Sequence, residues 1–170
     1  MSSMAAQSQS SRYAQNRNGS VEAFRVYQSG THRVQADAQS LYSFMPLMLG
    51  RRLPQEIAAK LIAGLKEEGR FLTPYGLATE ALSSPYYQDD GYWRGPIWAP
   101  PMVLIIEGLA DLGERAFARE LARRFCDCVC RSGFAENFDA RTGAPLRDPA
   151  YTWTSSVFLL LAHRLLETTD

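Results

Sequence analysis

Residues Trp98 to Phe125 read WAPPMVLIIEGLADLGERAFARELARRF, and two apolar stripes run through them. Trp98, Met102, Ile105, Ile106 and Leu109 recur at helical spacing with mostly apolar residues between them, which predicts a helix covered on both sides. Ala118, Leu121, Ala122 and Phe125 form the second stripe, with Arg119, Glu120, Arg123 and Arg124 on the opposite, wet face. Only a few residues around Gly113 separate the two, a length that suits an antiparallel helical hairpin. Such a hairpin returns the chain to the end it left. The loop before it (Phe71 to Pro96) and the loop after it (Arg131 to Thr152) are therefore expected at one end of the molecule.

Working outward, Leu41, Phe44, Leu47 and Met48 form a short stripe ending at Gly50. Ile57, Leu61, Ile62 and Leu65 form the next, entered through Pro54 and closed by Gly69. Trp153, Val157, Leu160 and Leu161 form the last. That makes about five helices and no strand series, so the expected fold class is all-α. Residues 1–20, rich in Ser, Gln and Asn without a hydrophobic period, read as a flexible segment. Val21 to Val34 alternates weakly around Gly30, as an extended or hairpin piece does.

The chain has 170 residues, enough for one domain with a sizeable core, and 46% of them are hydrophobic. Eighteen basic residues balance eighteen acidic ones, so net charge draws in neither nucleic acid nor an anionic membrane. No apolar run approaches the roughly 20 residues of a membrane helix. Cys126, Cys128 and Cys130 lie too close together for a disulfide framework, and read as buried free thiols in a cytoplasmic protein. Only Cys126 and Cys130 share a helix face, and His32 and His163 lie far off, so no metal site and no cofactor is expected.

Both long loops exceed 20 residues and are rich in Gly, Pro, aromatics and carboxylates, a pattern that long loops in compact domains show when they carry function. The first contains Tyr86-Tyr87-Gln88-Asp89-Asp90-Gly91-Tyr92-Trp93-Arg94-Gly95-Pro96-Ile97-Trp98. Aromatic faces stack on the C–H faces of sugars, and an arginine fork and carboxylates bind hydroxyls. Gly95 permits close backbone approach, and Pro96 is placed to start the next helix. The other reading is a set of aromatic plugs at the bundle end. The second loop contains Glu136-Asn137-Phe138-Asp139-Ala140-Arg141-Thr142-Gly143, where Asp139 to Gly143 predicts a tight turn. Glu136, between aromatics at the mouth of that turn, is either a general base or a solvated loop carboxylate.

Tyr92-Trp93-Arg94-Gly95-Pro96-Ile97-Trp98-Ala99-Pro100 resembles a segment of inverting (α/α)6-barrel glycoside hydrolases. These are the glucosidase I family (glycoside hydrolase family 63), its mannosylglycerate-hydrolase-like relatives and, more distantly, the trehalases. Glu136-Asn137-Phe138-Asp139 through Thr142-Gly143, then Tyr151-Thr152-Trp153-Thr154, follow in the order of that clan. Phe44-Met45-Pro46-Leu47 and Tyr75-Gly76-Leu77-Ala78-Thr79 fit its upstream pattern. The resemblance covers roughly residues 24–167.

What the resemblance implies is a partial (α/α)6 toroid of antiparallel helix pairs over residues 21–170, the C-terminal portion of a glycosidase domain. It implies Glu136 as the base that activates water, and Tyr92, Trp93, Arg94, Gly95, Trp98 and Trp153 around the sugar. The implied substrate is an α-glucoside or related α-linked sugar, cleaved with inversion. The clan's acid is an Asp in a G-W-D-x-S-like segment, which this sequence lacks. General acid assistance is worth roughly 10²–10⁴-fold, so the chain alone is expected to turn over poorly. Asp89 and Asp90 are substitute candidates by proximity alone. A fragment whose barrel is completed by a second chain reconciles these facts. The rivals are a non-catalytic sugar-binding remnant and a helical scaffold without a sugar ligand.

Overall fold

A computed structural model describes residues 39–67 and 69–167. The readings made for residues 1–20 and 21–34 fall outside them. Helices dominate the described residues: a leading 3-10 segment Leu41–Arg52, then α1 (Gln55–Lys66), α2 (Ala99–Asp111), α3 (Arg115–Ser132) and α4 (Thr152–Glu167). None is long and apolar enough to cross a membrane.

The leading segment turns every three residues, and Leu41, Phe44, Leu47 and Gly50 are its buried positions. That tighter period rotates Met48, expected in the core, out to solvent. The segment packs along α2, and the crossing is close. A β-carbon on Gly108 would lie 2.0 Å from the Leu47 carbonyl oxygen, so only glycine lets the two backbones meet.

α2 and α3 form the expected hairpin, turning at Leu112–Glu114. Pro100 and Pro101 occupy the first turn of α2, where their missing N–H groups cost nothing. The helix starts at Ala99 rather than at Pro96 because Ile97 spends its backbone elsewhere: it bridges Ala78 on one side and Phe138 on the other. α2 is covered by the leading segment, α3 and α4, yet opens to solvent at Leu104. On α4 the buried positions are Thr154, Val157 and Leu161, which leaves Leu160 and Trp153, both expected in the core stripe, exposed.

Two small antiparallel strand pairs sit in the long loops: β1 (Leu72–Thr73) with β2 (Gly76–Leu77), and β3 (Asn137–Phe138) with β4 (Pro145–Leu146). Two residues per strand are too few to leave an alternating signal in the sequence. Ile97 stitches the hairpins together through its bridges. Cys126 and Cys128 are buried as expected, whereas Cys130, near the end of α3, is exposed. All three are free thiols.

Candidate active site

The hairpin brings both long loops to one rim. Phe138 and Ile97 exchange backbone hydrogen bonds, at 2.7 Å from the Ile97 N–H and 3.1 Å from the Phe138 N–H. Inside the first loop the fully buried Thr79 is the hub. Its hydroxyl donates to the Pro96 carbonyl at 2.9 Å and accepts from the Gly95 N–H at 3.1 Å. Gly95 sits where a β-carbon would lie 2.1 Å from the Gln88 carbonyl oxygen, the close backbone approach expected of it. In the second loop, Asp139 forms the predicted turn, its carboxylate accepting from the N–H groups of Arg141 and Thr142 at 2.8 Å each.

Glu136 is fixed from both directions. Its N–H donates to the Asp148 carbonyl at 2.7 Å, and the flanking Ala135 carbonyl accepts the buried Thr154 hydroxyl at 2.6 Å, tying the segment to α4. Its side chain reaches the other loop: the Tyr92 hydroxyl donates to Glu136 Oε1 at 3.0 Å. That bond holds the phenol's titration above its ordinary value of 10.0, because ionisation would set two anions together; partial desolvation adds to the effect, and Arg147 opposes it.

Tyr92 belongs to an aromatic cluster. Trp93 lies stacked on Trp98, 3.9 Å between centroids and 17° between planes. Tyr92 meets Trp98 edge-on at 4.8 Å, and Trp153 leans on it at 6.2 Å. Trp98 therefore has no exposed surface, and its indole N–H donates to the Tyr92 carbonyl at 2.8 Å. Tyr92, Trp153 and Tyr42 keep 42%, 47% and 42% of their surface exposed, so the shelf over Trp98 faces solvent. Arg94, exposed, donates to the Gln88 side chain at 3.1 Å within its own loop.

Two ion pairs cross between the loops, Asp89 with Arg141 at 3.1 Å and Asp90 with Arg147 at 2.8 Å. Both are exposed, so each adds no more than about 1 kcal/mol; what they supply is registration of one loop on the other. Asp89 and Asp90, named above as substitute acids, are thus each engaged by an arginine of the facing loop. Arg141 also lies 4.7 Å from the centre of the Tyr87 ring. Arg147 was not legible as a site residue, since a single loop arginine carries no pattern. Yet it and Tyr92 are the non-glycine residues found at positive φ among those described, 66° and 60°. Such backbone costs roughly 1–3 kcal/mol per residue and persists only where the surroundings hold it.

Helix pairs with a rim of long aromatic and acidic loops form part of a glycosidase-type helical toroid, and solved structures share that part. A GH63 mannosylglycerate hydrolase from Thermus thermophilus in complex with glucose superposes with a TM-score of 0.66 at 26% identity, over 75% of this chain and 32% of that one. A neutral trehalase from Saccharomyces cerevisiae shares the fold with a TM-score of 0.64 at 22% identity, over 84% of this chain and 26% of that one. In sequence, the mannosylglycerate hydrolase of Thermus thermophilus is 30% identical over 116 residues, which are 68% of this chain and 28% of that protein. The pattern of the mannosylglycerate hydrolase MGH1-like glycoside hydrolase domain matches residues 3–154, and the chain belongs to that family. The chain spans about a third or less of the length of these relatives.

Proposed function

We propose that this chain forms the base-bearing rim of an inverting glycoside hydrolase acting on an α-linked glucoside or a related α-linked sugar. The observation that carries the reading is the 3.0 Å contact of the Tyr92 hydroxyl with Glu136, which sets a carboxylate beside an aromatic shelf. With Oε1 engaged by the phenol, Oε2 is the oxygen that takes a proton from water. The water oxygen attacks the anomeric carbon, the glycosidic C–O bond breaks, and its electrons go to the leaving oxygen. That oxygen is protonated by an acid roughly 6.5–9.5 Å from the base, and the anomer inverts.

Tyr92, Trp93 and Trp153 offer faces to the sugar, and Arg94 offers a guanidinium to its hydroxyls. Trp98 and Gly95, both buried, serve from beneath by carrying Trp93 and letting the loop fold tightly. The acid is supplied by a second chain that completes the barrel, a reading supported by the greater length of the relatives beyond the matched span. The activity and ligand of the relatives, a mannosylglycerate hydrolase and its complex with glucose, support a hexose in the site. Three free thiols support a cytoplasmic setting.

The test is Glu136→Gln in the completed assembly. Hydrolysis is expected to fall at least by the roughly 10²–10⁴-fold that general acid–base assistance supplies, with sugar affinity kept. A variant that retains the parent rate ends the assignment.

A further inference from the structure

The phenol that meets Glu136 is bracketed by an element of the second loop. The Arg147 guanidinium carbon lies 5.5 Å from the centre of the Tyr92 ring. Arg147 is itself anchored, its Nη2 donating to Asp90 Oδ1 at 2.8 Å and to the Asp90 carbonyl at 3.3 Å. Asp90 stands two residues before Tyr92, so the arginine reaches back across the gap to the segment that carries the ring. The residue after Arg147, Asp148, accepts the Glu136 N–H at 2.7 Å. Trp98 meets the ring edge-on at 4.8 Å, and its indole N–H donates to the Tyr92 carbonyl. The two strained residues at positive φ are thus the two that touch each other, and both are tied to Glu136, one by side chain and one through the neighbouring backbone.

We propose that Arg147, braced by Asp90, is a positioning residue that fixes the Tyr92 phenol on Glu136 and so sets the direction in which the carboxylate points. The proposal rests on Glu136 being the base. It assigns Arg147 no contact with the sugar and no proton to move.

Charge and position make opposite predictions for one measurement. The charged and titratable groups facing the phenol are Glu136, Tyr151 and Arg147. If Arg147 acted only as a nearby cation, Arg147→Gln would push the phenol's titration further above 10.0, because a cation favours the phenolate. If Arg147 holds the phenol on Glu136, the same variant releases it and the midpoint falls toward 10.0. The experiment is a pH titration of the purified chain carrying ¹³Cζ-labelled tyrosine, with Tyr92→Phe to assign the resonance and Glu136→Ala, which removes the acceptor, as the reference for a released phenol. A fall in Arg147→Gln toward the Glu136→Ala midpoint is expected. A rise or an unchanged midpoint overturns the proposal. Should alkali unfold the chain first, cross-relaxation at neutral pH between the Tyr92 ring protons and the Glu136 γ-methylene decides instead: lost in Arg147→Gln as expected, or intact and contrary. Neither readout uses turnover, so failure here is distinguishable from failure of Glu136 as the base, which the hydrolysis of Glu136→Gln reports.

Discussion

At the rim, the two long loops are joined by paired backbone at Ile97 and Phe138, by a phenol on a carboxylate, and by two arginine–aspartate pairs. At the far end, the same helices are joined by three residues, Leu112–Glu114. They leave an open, mainly apolar groove of about 550 Å³, whose lining includes Ile106, Ala110, Ala118, Ala122 and Leu161 together with Arg115, Arg119 and Arg164. One end is tied loop to loop; the other is tied helix to helix, with Arg51 on Asp111 and Lys66 on Glu114 at 2.8 Å each beside the open groove. The two long loops are held in register on each other, and the scaffold beyond is left with room.

The contrast breaks most visibly at Phe138, whose ring is fully buried, edge-on to Phe125 at 6.1 Å, while its backbone pairs with Ile97. Phe138→Ala is expected to lower stability by about 3–5 kcal/mol, since it removes a fully buried ring and leaves a cavity the paired backbone cannot close. Urea unfolding checks it: the midpoint falls at unchanged slope. A loss below about 1 kcal/mol would mean that the rim is not packed as described.

Gly95 is next. A methyl there meets the backbone carbonyl oxygen of Gln88 at 2.1 Å, and a backbone atom cannot swing aside as a side chain can. Gly95→Ala is expected to cost about 1–3 kcal/mol, the range for overpacking. It should also weaken the Tyr92–Glu136 contact, because Gly95, Pro96 and Thr79 form one hydrogen-bonded knot below it. Sugar affinity should fall with stability, which a calorimetric titration of the purified chain with glucose would measure.

How much of this was legible follows from which forces were local. The hairpin of α2 and α3, and hence the meeting of the loops, could be read because helical periodicity and a short connection are properties of contiguous sequence. The turn at Asp139 and the tight passage at Gly95 were legible for the same reason. Met48 and Leu160 were misplaced because their orientation depends on a 3-10 period and on which neighbours cover α4, and neither is written locally. Trp98 reads as a binding aromatic, but only the fold reveals that Trp93 lies over it. Arg147 gave no signal, and Thr79 entered only as the last residue of the upstream segment Tyr75 to Thr79, since their roles arise from partners 57 and 17 residues away.

The cysteines report on the seam between scaffold and rim. Burial pushes Cys126 and Cys128 up to about 11, and Cys128 lies under the second loop, 3.7 Å from the Gly143 carbonyl. At pH 8 a thiol reagent should label one cysteine, Cys130, quickly and the other two slowly. The sign of the linkage follows: folded values above the unfolded value of 9.0 leave stability whole below about pH 9 and erode it as pH climbs from 9 toward 11. The urea midpoint should therefore be level from pH 7 to pH 9 and then decline. Cys128 labelling as fast as Cys130 would show the rim loop opening freely.

The smallest effect is expected where the contrast predicts tolerance. Ala110, half-buried on α2, borders the far groove, whose lining also includes the small residues Ala118 and Ala122. Ala110→Leu adds three carbons that can lie in the groove without displacing backbone, so stability should change by no more than about 0.5 kcal/mol. At Gly95 a single added carbon has nowhere to go. If Ala110→Leu instead costs as much as Gly95→Ala, the groove is closed in solution, and the difference between the two ends is one of chemistry alone, not of packing.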